Sequence, residues 1–425
     1  MSENVFDVLK KRGFIDQITA HELEKALKKP MSFYVGFDPT ADSLHIGHLV
    51  AIIALTWLQK YGHKGYALIG GATARIGDPS GKSIERPLLD DISIQNNISE
   101  IDAFLKEVVQ RNCDQENPIT IVNNQNWYQD FSCIDFLRDV GRYFRLGTML
   151  AKESVKIRVN SEEGMSFTEF SYQVLQSYDF YHLHKQHGIT LQLGGSDQWG
   201  NITAGIDFGR KMGSDHLFGL TFPLLTRSDG KKFGKTESGA VWLSSKRLSP
   251  YQFYQYFMKI PDADVIQMMK MLTFMDFEEI EELEQMMWKE DYVPNTAQKR
   301  LAKEVTFFVH GSEGLAVALK VTEAIIPGSP AKLDGEILRE ISSDMPHVTL
   351  NKEDLSDKTI ADIFAMSKLT TSKSEATKLI KNGGAYLNNQ KIDNPALEIA
   401  EKDLIDGQYI LLSRGKKNRL LISFM

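Results

Sequence analysis

Short apolar runs of strand length alternate with helical stretches between residues 31 and 226, and no other feature of this 425-residue chain restricts its fold as much. Met31 to Phe37 is apolar and aromatic and reads as a buried strand. Leu49 to Tyr61 is apolar at helical spacing and reads as a helix. Further strand candidates are Tyr66 to Gly71, Ile119 to Val122, Thr190 to Leu193 and Leu220 to Thr226; helices fit 94–111, 134–145, 167–182 and 199–212. Such alternation predicts an α/β, Rossmann-like domain, its mostly parallel sheet covered on both faces and its ligands beyond the carboxyl ends of the strands.

The pattern changes elsewhere. Residues 1–30 read as two amphipathic helices around Gly13, with Thr19 and Glu22 as a capping box. From 250 to 320 only helices are legible, at 250–259, 262–272, 276–288 and 294–309. Residues 325–355 carry Pro327, Gly328, Pro330, Gly335 and Pro346 and read as a linker region, with a short helix at Ile337 to Ile341. A compact α+β unit follows, with helices at 359–367 and 373–381 and strands around 385–387, 391–392, 409–412 and 420–422. The expected domains are 1–228, 229–324 and 356–425, joined by the linker 325–355.

The formal charge of −7 argues against non-specific coating of nucleic acid. The charge is uneven: residues 357–425 hold 11 Lys+Arg against 8 Asp+Glu, leaving 38 against 48 in the remainder, so a polyanionic partner is expected at the basic end. Cys113 and Cys133 form no C-x-x-C motif, no signal-like segment opens the chain, and no apolar run approaches about 18 residues. A cytoplasmic enzyme without membrane contact is expected.

Five segments carry chemistry. In Phe37 to His48, a turn with Pro39, Thr40, Asp42 and Ser43 leads to His45 and His48 in the first turn of a helix. Free N–H groups and the positive dipole end suit a phosphate there; from spacing alone, two capping histidines fit equally well. Gly77 to Ser83 resembles a P-loop but has three residues between its glycines where four are needed, and Ile76 stands at the first glycine position. It reads as a turn presenting Asp78 inward, with Lys82 and Arg86 as cations. On the helix from Phe167, Tyr172, Gln176 and Asp179 share one face, which is either solvated or lines a polar pocket; Ser166 and Glu169 fit a capping box. His182, His184 and His187 lack partners of metal-ligand spacing and read as a solvated helix end. Leu191 to Asn201 ends a strand in a glycine pair and begins a helix, and Asp229 to Gly239 is a basic, glycine-punctuated loop.

His45-Ile46-Gly47-His48 resembles the first signature of class I aminoacyl-tRNA synthetases, and Lys232-Phe233-Gly234-Lys235-Thr236 resembles the second in its tyrosyl form. Phe170 to Asp179 is similar to the tyrosine-binding helix of the bacterial tyrosyl family. The resemblance spans essentially the whole chain and implies tyrosine activation by ATP followed by transfer to tRNA(Tyr). It assigns Thr40, His45, His48, Lys82, Arg86, Lys232, Lys235 and Thr236 to catalysis. Asp78, Tyr172 and Gln176 go to the ammonium group, Tyr34 and Asp179 to the phenol, and Gln192 and Gln198 also to tyrosine. Gly36, Asp38, Gly195 and Asp197 join the two histidines and Lys235 on the nucleotide. Val35 and Ala51 stand where some relatives place ribose-binding hydroxyls or thiols, so ribose binding is expected to lean on Gly195 and Asp197.

The last 70 residues resemble a small ribosomal-protein RNA-binding fold, with Lys373, Lys378, Lys381 and Lys391 toward phosphates and Arg414, Lys416, Lys417 and Arg419 adding to them. The resemblance further implies ATP as substrate with Mg2+ on it, no tightly bound protein metal, and a homodimer. A phenylalanine in the pocket leaves the hydroxyl-binding groups unmet; tyrosyl enzymes are themselves a standard case of such discrimination without editing. A tryptophanyl enzyme, a small-molecule adenylyltransferase and a non-catalytic RNA-binding protein are the alternatives.

Overall fold

The computed structural model describes residues 4–81, 89–228, 230, 233–236, 239–342, 345–355, 358–416 and 418–425. They form two compact units, one of residues 1–248 with 257–309, the other of 249–256 with 310–425. Among the described residues, no helix is long and apolar enough to cross a membrane.

The first unit is built on six strands: β1 (Gln17–Ile18), β2 (Ser32–Phe37), β3 (Lys64–Ile69), β4 (Thr120–Asn123), β5 (Ile189–Gly195) and β6 (Phe218–Phe222). Their spatial order is β1-β6-β5-β2-β3-β4, with β1 antiparallel to β6 and the other pairs parallel. The chain runs outward from β2 through β3 to β4, then returns to lay β5 on the other side of β2. The order therefore reverses between β2 and β5, and ligands of such sheets sit beyond the carboxyl ends of the strands at that point. Phe33, Tyr34, Val35 and Phe37 are all buried, as are Leu191, Gln192 and Leu193 beside them, because helices cover both faces. The helix Ile46–Lys60 is buried along most of its length, including Leu49, Val50, Ile52, Ile53, Leu55 and Leu58. Gly62, with φ 83, lets the chain turn after it into β3.

Several sequence expectations are corrected. Residues 1–30 hold a strand, β1, between helices Val5–Lys11 and Glu22–Ala26. The Thr19–Glu22 capping box does not form, because Thr19 Oγ1 accepts the Gly219 N–H at 2.8 Å from the neighbouring strand. The helix expected over 134–145 stops at Asp139 and gives way to a short turn, Gly141–Tyr143. The strand expected over 220–226 is Phe218–Phe222, and the helix expected to end at 309 continues to Ala324 with a break at Gly311, where φ is 71.

The second unit has five more strands: β9 (His347–Leu350), β10 (Ala385–Leu387), β11 (Gln390–Lys391), β12 (Tyr409–Arg414) and β13 (Asn418–Phe424), after the two-residue pair β7 (Lys235–Thr236) and β8 (Gly239–Ala240) of the first unit. They lie in the order β11-β10-β12-β13-β9, with helices Ile360–Met366 and Lys373–Lys381 packed through Ile360, Phe364, Ala376 and Ile380 on Leu412 and Ile422. The stretch 325–355, expected as a linker region, carries the helix Gly335–Ser342, which buries Ile337, Leu338 and Ile341, and the edge strand β9, parallel to β13. β9 alternates exposed His347 and Thr349 with half-buried Val348 and Leu350, but at four residues the alternation is at the shortest length that reads as a strand.

Candidate active site

Both histidines of His45-Ile46-Gly47-His48 cap the helix they begin. His45 occupies the N-cap, and its Nδ1 accepts the Gly47 N–H at 3.1 Å. His48 Nδ1 accepts the His45 N–H at 3.2 Å, and the two rings lie 4.0 Å apart. A neutral imidazole that accepts at Nδ1 carries its proton on Nε2, so capping fixes the donor end of each ring. The structure shows the capping reading of the pair. Gly47 is required because a Cβ there would fall 2.8 Å from His45 Cε1. Ile46 donates its N–H to Val241 O at 2.9 Å, and His45 pairs with Trp242 as a bridge. The backbone following the second signature therefore lies on the first. Gly36 is exposed in β2 with open space where a Cβ would stand, and Thr40 is exposed.

The pocket floor lies behind. Tyr34 and Gln192 are register partners on β2 and β5, so their side chains share a face. Both are buried, and Tyr34 OH and Gln192 Oε1 have no hydrogen-bond partner among the described residues. Burial, and after it the Asp179 charge, hold the Tyr34 hydroxyl proton well above its ordinary range. Asp179 is 1% exposed on the helix Phe167–His187. Trp127 Nε1 donates to its Oδ1 at 2.8 Å and Asn124 Nδ2 to its Oδ2 at 3.1 Å. Burial nevertheless outweighs these donors and pushes its carboxyl up to about 7. Asn124 and Trp127 follow β4 directly; the rule that ligands lie beyond strand carboxyl ends pointed to them, but no side-chain pattern did.

A polar ring closes the pocket. Gln198 Nε2 donates to Asp78 Oδ2 at 2.7 Å, and Gln176 Nε2 approaches Gln198 Oε1 at 3.3 Å. Asn201 Nδ2 reaches Gln176 Oε1 at 3.0 Å and Asp78 Oδ1 at 3.3 Å, a residue the sequence reading quoted without a role. Tyr172, expected beside Asp78, turns its hydroxyl to Asp38 Oδ2 at 2.7 Å, while Thr73 Oγ1 donates to Asp38 Oδ1 at 2.8 Å. A Cβ on Gly70 would lie 1.9 Å from Asp38 Oδ1, so β3 must be followed by glycine. Asp197 stands over the glycine pair that ends β5, where a Cβ on Gly195 would meet Asp197 Oδ1 at 2.6 Å. Val35 and Ala51 are buried.

The helix carrying Tyr172, Gln176 and Asp179 starts as half of a capping box: Ser166 Oγ accepts the Glu169 N–H at 3.1 Å, but the Glu169 carboxylate pairs with buried Arg158 at 2.8 Å through two nitrogens. The three histidines at its end are dispersed. His182 stacks on Trp127 with centroids 4.4 Å apart, His184 Nδ1 meets Ile189 O at 2.9 Å, and His187 faces Tyr66. Lys82, Arg86, Lys232 and Lys417 lie outside the described residues, and of Lys235 and Thr236 only the backbone, paired with Ala240 and Gly239, is described. In the second unit, Lys378, Lys381 and Lys391 are exposed, Lys373 is bound by Asp362 at 2.8 Å and Arg414 by Glu375 at 2.8 Å. The Lys373 hydrogen bond is the main cause that brings the Asp362 carboxyl down to about 2. Lys416 is exposed, whereas Arg419 is partly buried and donates to Lys416 O at 3.3 Å.

A mostly parallel sheet whose strand order reverses between β2 and β5, with His45-Ile46-Gly47-His48 opening the helix after β2, is the setting of a class I aminoacyl-tRNA synthetase, and residues 25–326 match the family model "tRNA synthetases class I (W and Y)". The chain belongs to the tyrosyl-tRNA synthetase, or tyrosine–tRNA ligase, family. Residues 336–422 match the "Tyrosine--tRNA ligase SYY-like C-terminal domain". The tyrosine–tRNA ligase of Protochlamydia amoebophila is 54% identical over 422 residues, covering 99% of each chain, and that of Escherichia coli O139:H28 is 44% identical over 425 residues, also covering 99% of each. Among solved structures, a C-terminally truncated mitochondrial tyrosyl-tRNA synthetase of Coccidioides posadasii superposes with a TM-score of 0.66 at 33% identity, covering 75% of this chain and 92% of that one.

Proposed function

We infer that this chain carries out its family's reaction: it activates L-tyrosine with ATP to tyrosyl-adenylate and pyrophosphate, then transfers the tyrosyl group to the terminal ribose of tRNA(Tyr). The observation that carries the choice of amino acid is the buried Tyr34–Asp179 floor, where a hydroxyl without a partner lies near a carboxylate. A phenol meets both; an indole or a phenyl ring does not. Asp78 receives the ammonium group, with Gln176 and Tyr172 beside it, and Gln192 and Gln198 flank the carboxylate. That carboxylate is already ionised at neutral pH, so attack on the α-phosphorus needs no general base.

Catalysis is then positioning and charge stabilisation. Thr40, His45 and His48 meet the phosphates from one side; Lys82, Arg86, Lys232, Lys235 and Thr236 meet them from the other. Gly36 and Asp38 lie along the nucleotide, and Gly195 and Asp197 take the ribose. ATP enters with Mg2+ on its phosphates. Lys378, Lys381 and Lys391 contact the tRNA backbone, and Lys373 joins them only by leaving Asp362. The chain works in the cytoplasm as a homodimer; exposed Ile134, Leu137, Leu146, Leu150, Ile157, Val159 and Phe167, gathered within one stretch, supply an apolar surface for a second copy.

ATP–pyrophosphate exchange tests the reading. It is expected with tyrosine and absent with phenylalanine or tryptophan; exchange driven by tryptophan overturns the assignment of the amino acid. Sedimentation as a monomer at micromolar concentration overturns the dimer.

A further inference from the structure

The backbone around the second signature is held at both ends. Beyond it, Val241 accepts from Ile46 and donates to Gly234 O at 3.0 Å, and Leu243 donates to Leu44 O at 2.9 Å. Gly234 has φ 86, and a Cβ there would lie 2.1 Å from Ile46 Cγ2, so this part of the signature packs directly on the first. Before the signature, Ser228 donates its N–H to Asp264 Oδ1 at 2.8 Å. Asp264 is 3% exposed, and its Oδ2 is buried without a hydrogen-bond partner among the described residues. A carboxylate in that setting costs stability that packing does not require. Its place in the first turn of the helix Asp262–Leu272 offsets part of the cost through the helix dipole.

The far end of the same helix is tied to the first signature. Arg12 is buried and donates to the carbonyls of Lys270 at 3.3 Å, Thr273 at 3.1 Å and Met275. Its guanidinium lies 4.5 Å over the ring of Trp57, which belongs to the helix that His45 caps. Helix Asp262–Leu272 is thus a strut. One end rests on the helix of the first signature and the other grips the residue that leads into the second.

We propose that Asp264 is a positioning residue for adenylate formation. By fixing the backbone at Ser228 it holds a described residue ahead of the second signature, as the packing of Gly234 on Ile46 holds the signature's own glycine; it touches neither tyrosine nor ATP. The proposal rests on the reading of residues 232–236 as that signature. What matters is an acceptor at this position, not its charge, because the partner is a backbone N–H.

The test compares Asp264→Ala and Asp264→Asn in the full-length chain, by tyrosine-dependent ATP–pyrophosphate exchange and by equilibrium tyrosine binding. Misplacement of reacting groups by about 1 Å costs up to about 100-fold. Asp264→Ala is expected to slow exchange at least about 10-fold, with tyrosine affinity held within about twofold, and Asp264→Asn, which keeps the acceptor, to stay within about threefold of the parent. Unchanged exchange in Asp264→Ala overturns the proposal. So does parallel loss of tyrosine binding and rate, or an Asp264→Asn as slow as Asp264→Ala. Should Asp264→Ala not fold, Asp264→Glu, which displaces the carboxylate by one methylene, is expected to show the same split between rate and binding; if neither folds, Asp264 is a stability residue and the proposal falls. Absence of tyrosine-dependent exchange in the parent chain overturns the functional reading instead.

Discussion

The floor and the mouth of the cleft are built on opposite principles. At the floor, Asp179, Tyr34 and Gln192 are each at most 3% exposed, and three core elements hold them. At the mouth, Gly36 and Thr40 are exposed and His45 and His48 half-buried, on a strand end, a turn and a helix start. A charge on the floor has lost its water, so Asp179 needs donors from Asn124 and Trp127, and even with them its carboxyl stands near 7. An unmet group there has no solvent to fall back on, which on the proposed reading suits the floor to select one hydroxyl. On the same reading the mouth is where phosphates arrive, bringing charge and solvent with them. Donors there cost little in the free protein and act mainly as charge moves in the transition state. Selectivity and rate are therefore expected to be separable by mutation.

The largest separation is expected at the mouth. Thr40→Ala combined with His45→Gly should slow adenylate formation by about 10,000-fold or more, at about 100-fold or more per lost donor, while tyrosine affinity stays within about twofold. Single-turnover adenylate formation with parallel tyrosine binding checks this, and equal losses in both contradict the division. Next in size is the floor. Asp179→Asn should weaken tyrosine about 10- to 100-fold, the value of a hydrogen bond to a charged group, and narrow the preference over phenylalanine. The ratio of exchange rates for the two amino acids is the measurement; an unchanged ratio means that the hydroxyl is read elsewhere. Smaller again is Gly70→Ala, whose Cβ would press on Asp38 and Thr73. It should impair tyrosine and ATP binding together by about 10-fold, as overpacking of about 1–3 kcal/mol predicts.

Legibility in the sequence follows the same division. The parallel sheet and the helices around it were readable because both rest on near-continuous apolar burial bounded by turns, as in Phe33 to Phe37 and along Ile46–Lys60. Both signatures and the polar face of Tyr172, Gln176 and Asp179 were readable because chemistry and spacing coincide within single segments. What stayed hidden depends on pairing between distant segments. β1 is two residues long and exists through its bonds to β6. Asn124 and Trp127 act on a carboxylate 55 and 52 residues away, and Glu169 leaves its expected cap for Arg158. Gly70 and Gly47 look like ordinary loop and helix glycines until the side chains of Asp38 and His45 occupy the space beside them.

The finest contrast lies within the floor, between Asp179 and one of its two donors. Burial raises the Asp179 carboxyl to about 7, and the Asn124 and Trp127 hydrogen bonds each pull it back. Its folded value stands above its unfolded one, so its contribution to stability is complete below about pH 4 and is lost as pH rises through about 7. The folded chain binds more protons than the unfolded chain across that window. Tyrosine binding has the opposite slope, because the ionised carboxylate is the better acceptor for a phenol, and affinity is expected to rise with pH through about 7. Trp127→Phe removes the Nε1–H donor while keeping an aromatic ring beside His182, so the carboxyl should titrate higher still. The affinity curve should shift upward by less than about one pH unit, leaving tyrosine binding about two- to fivefold weaker at pH 7 and nearly restored at pH 9. Equilibrium tyrosine binding between pH 5.5 and 9 resolves the shift. A curve that moves down, or a loss equal at every pH, would mean that Trp127 supports the ring of the substrate rather than the charge beneath it.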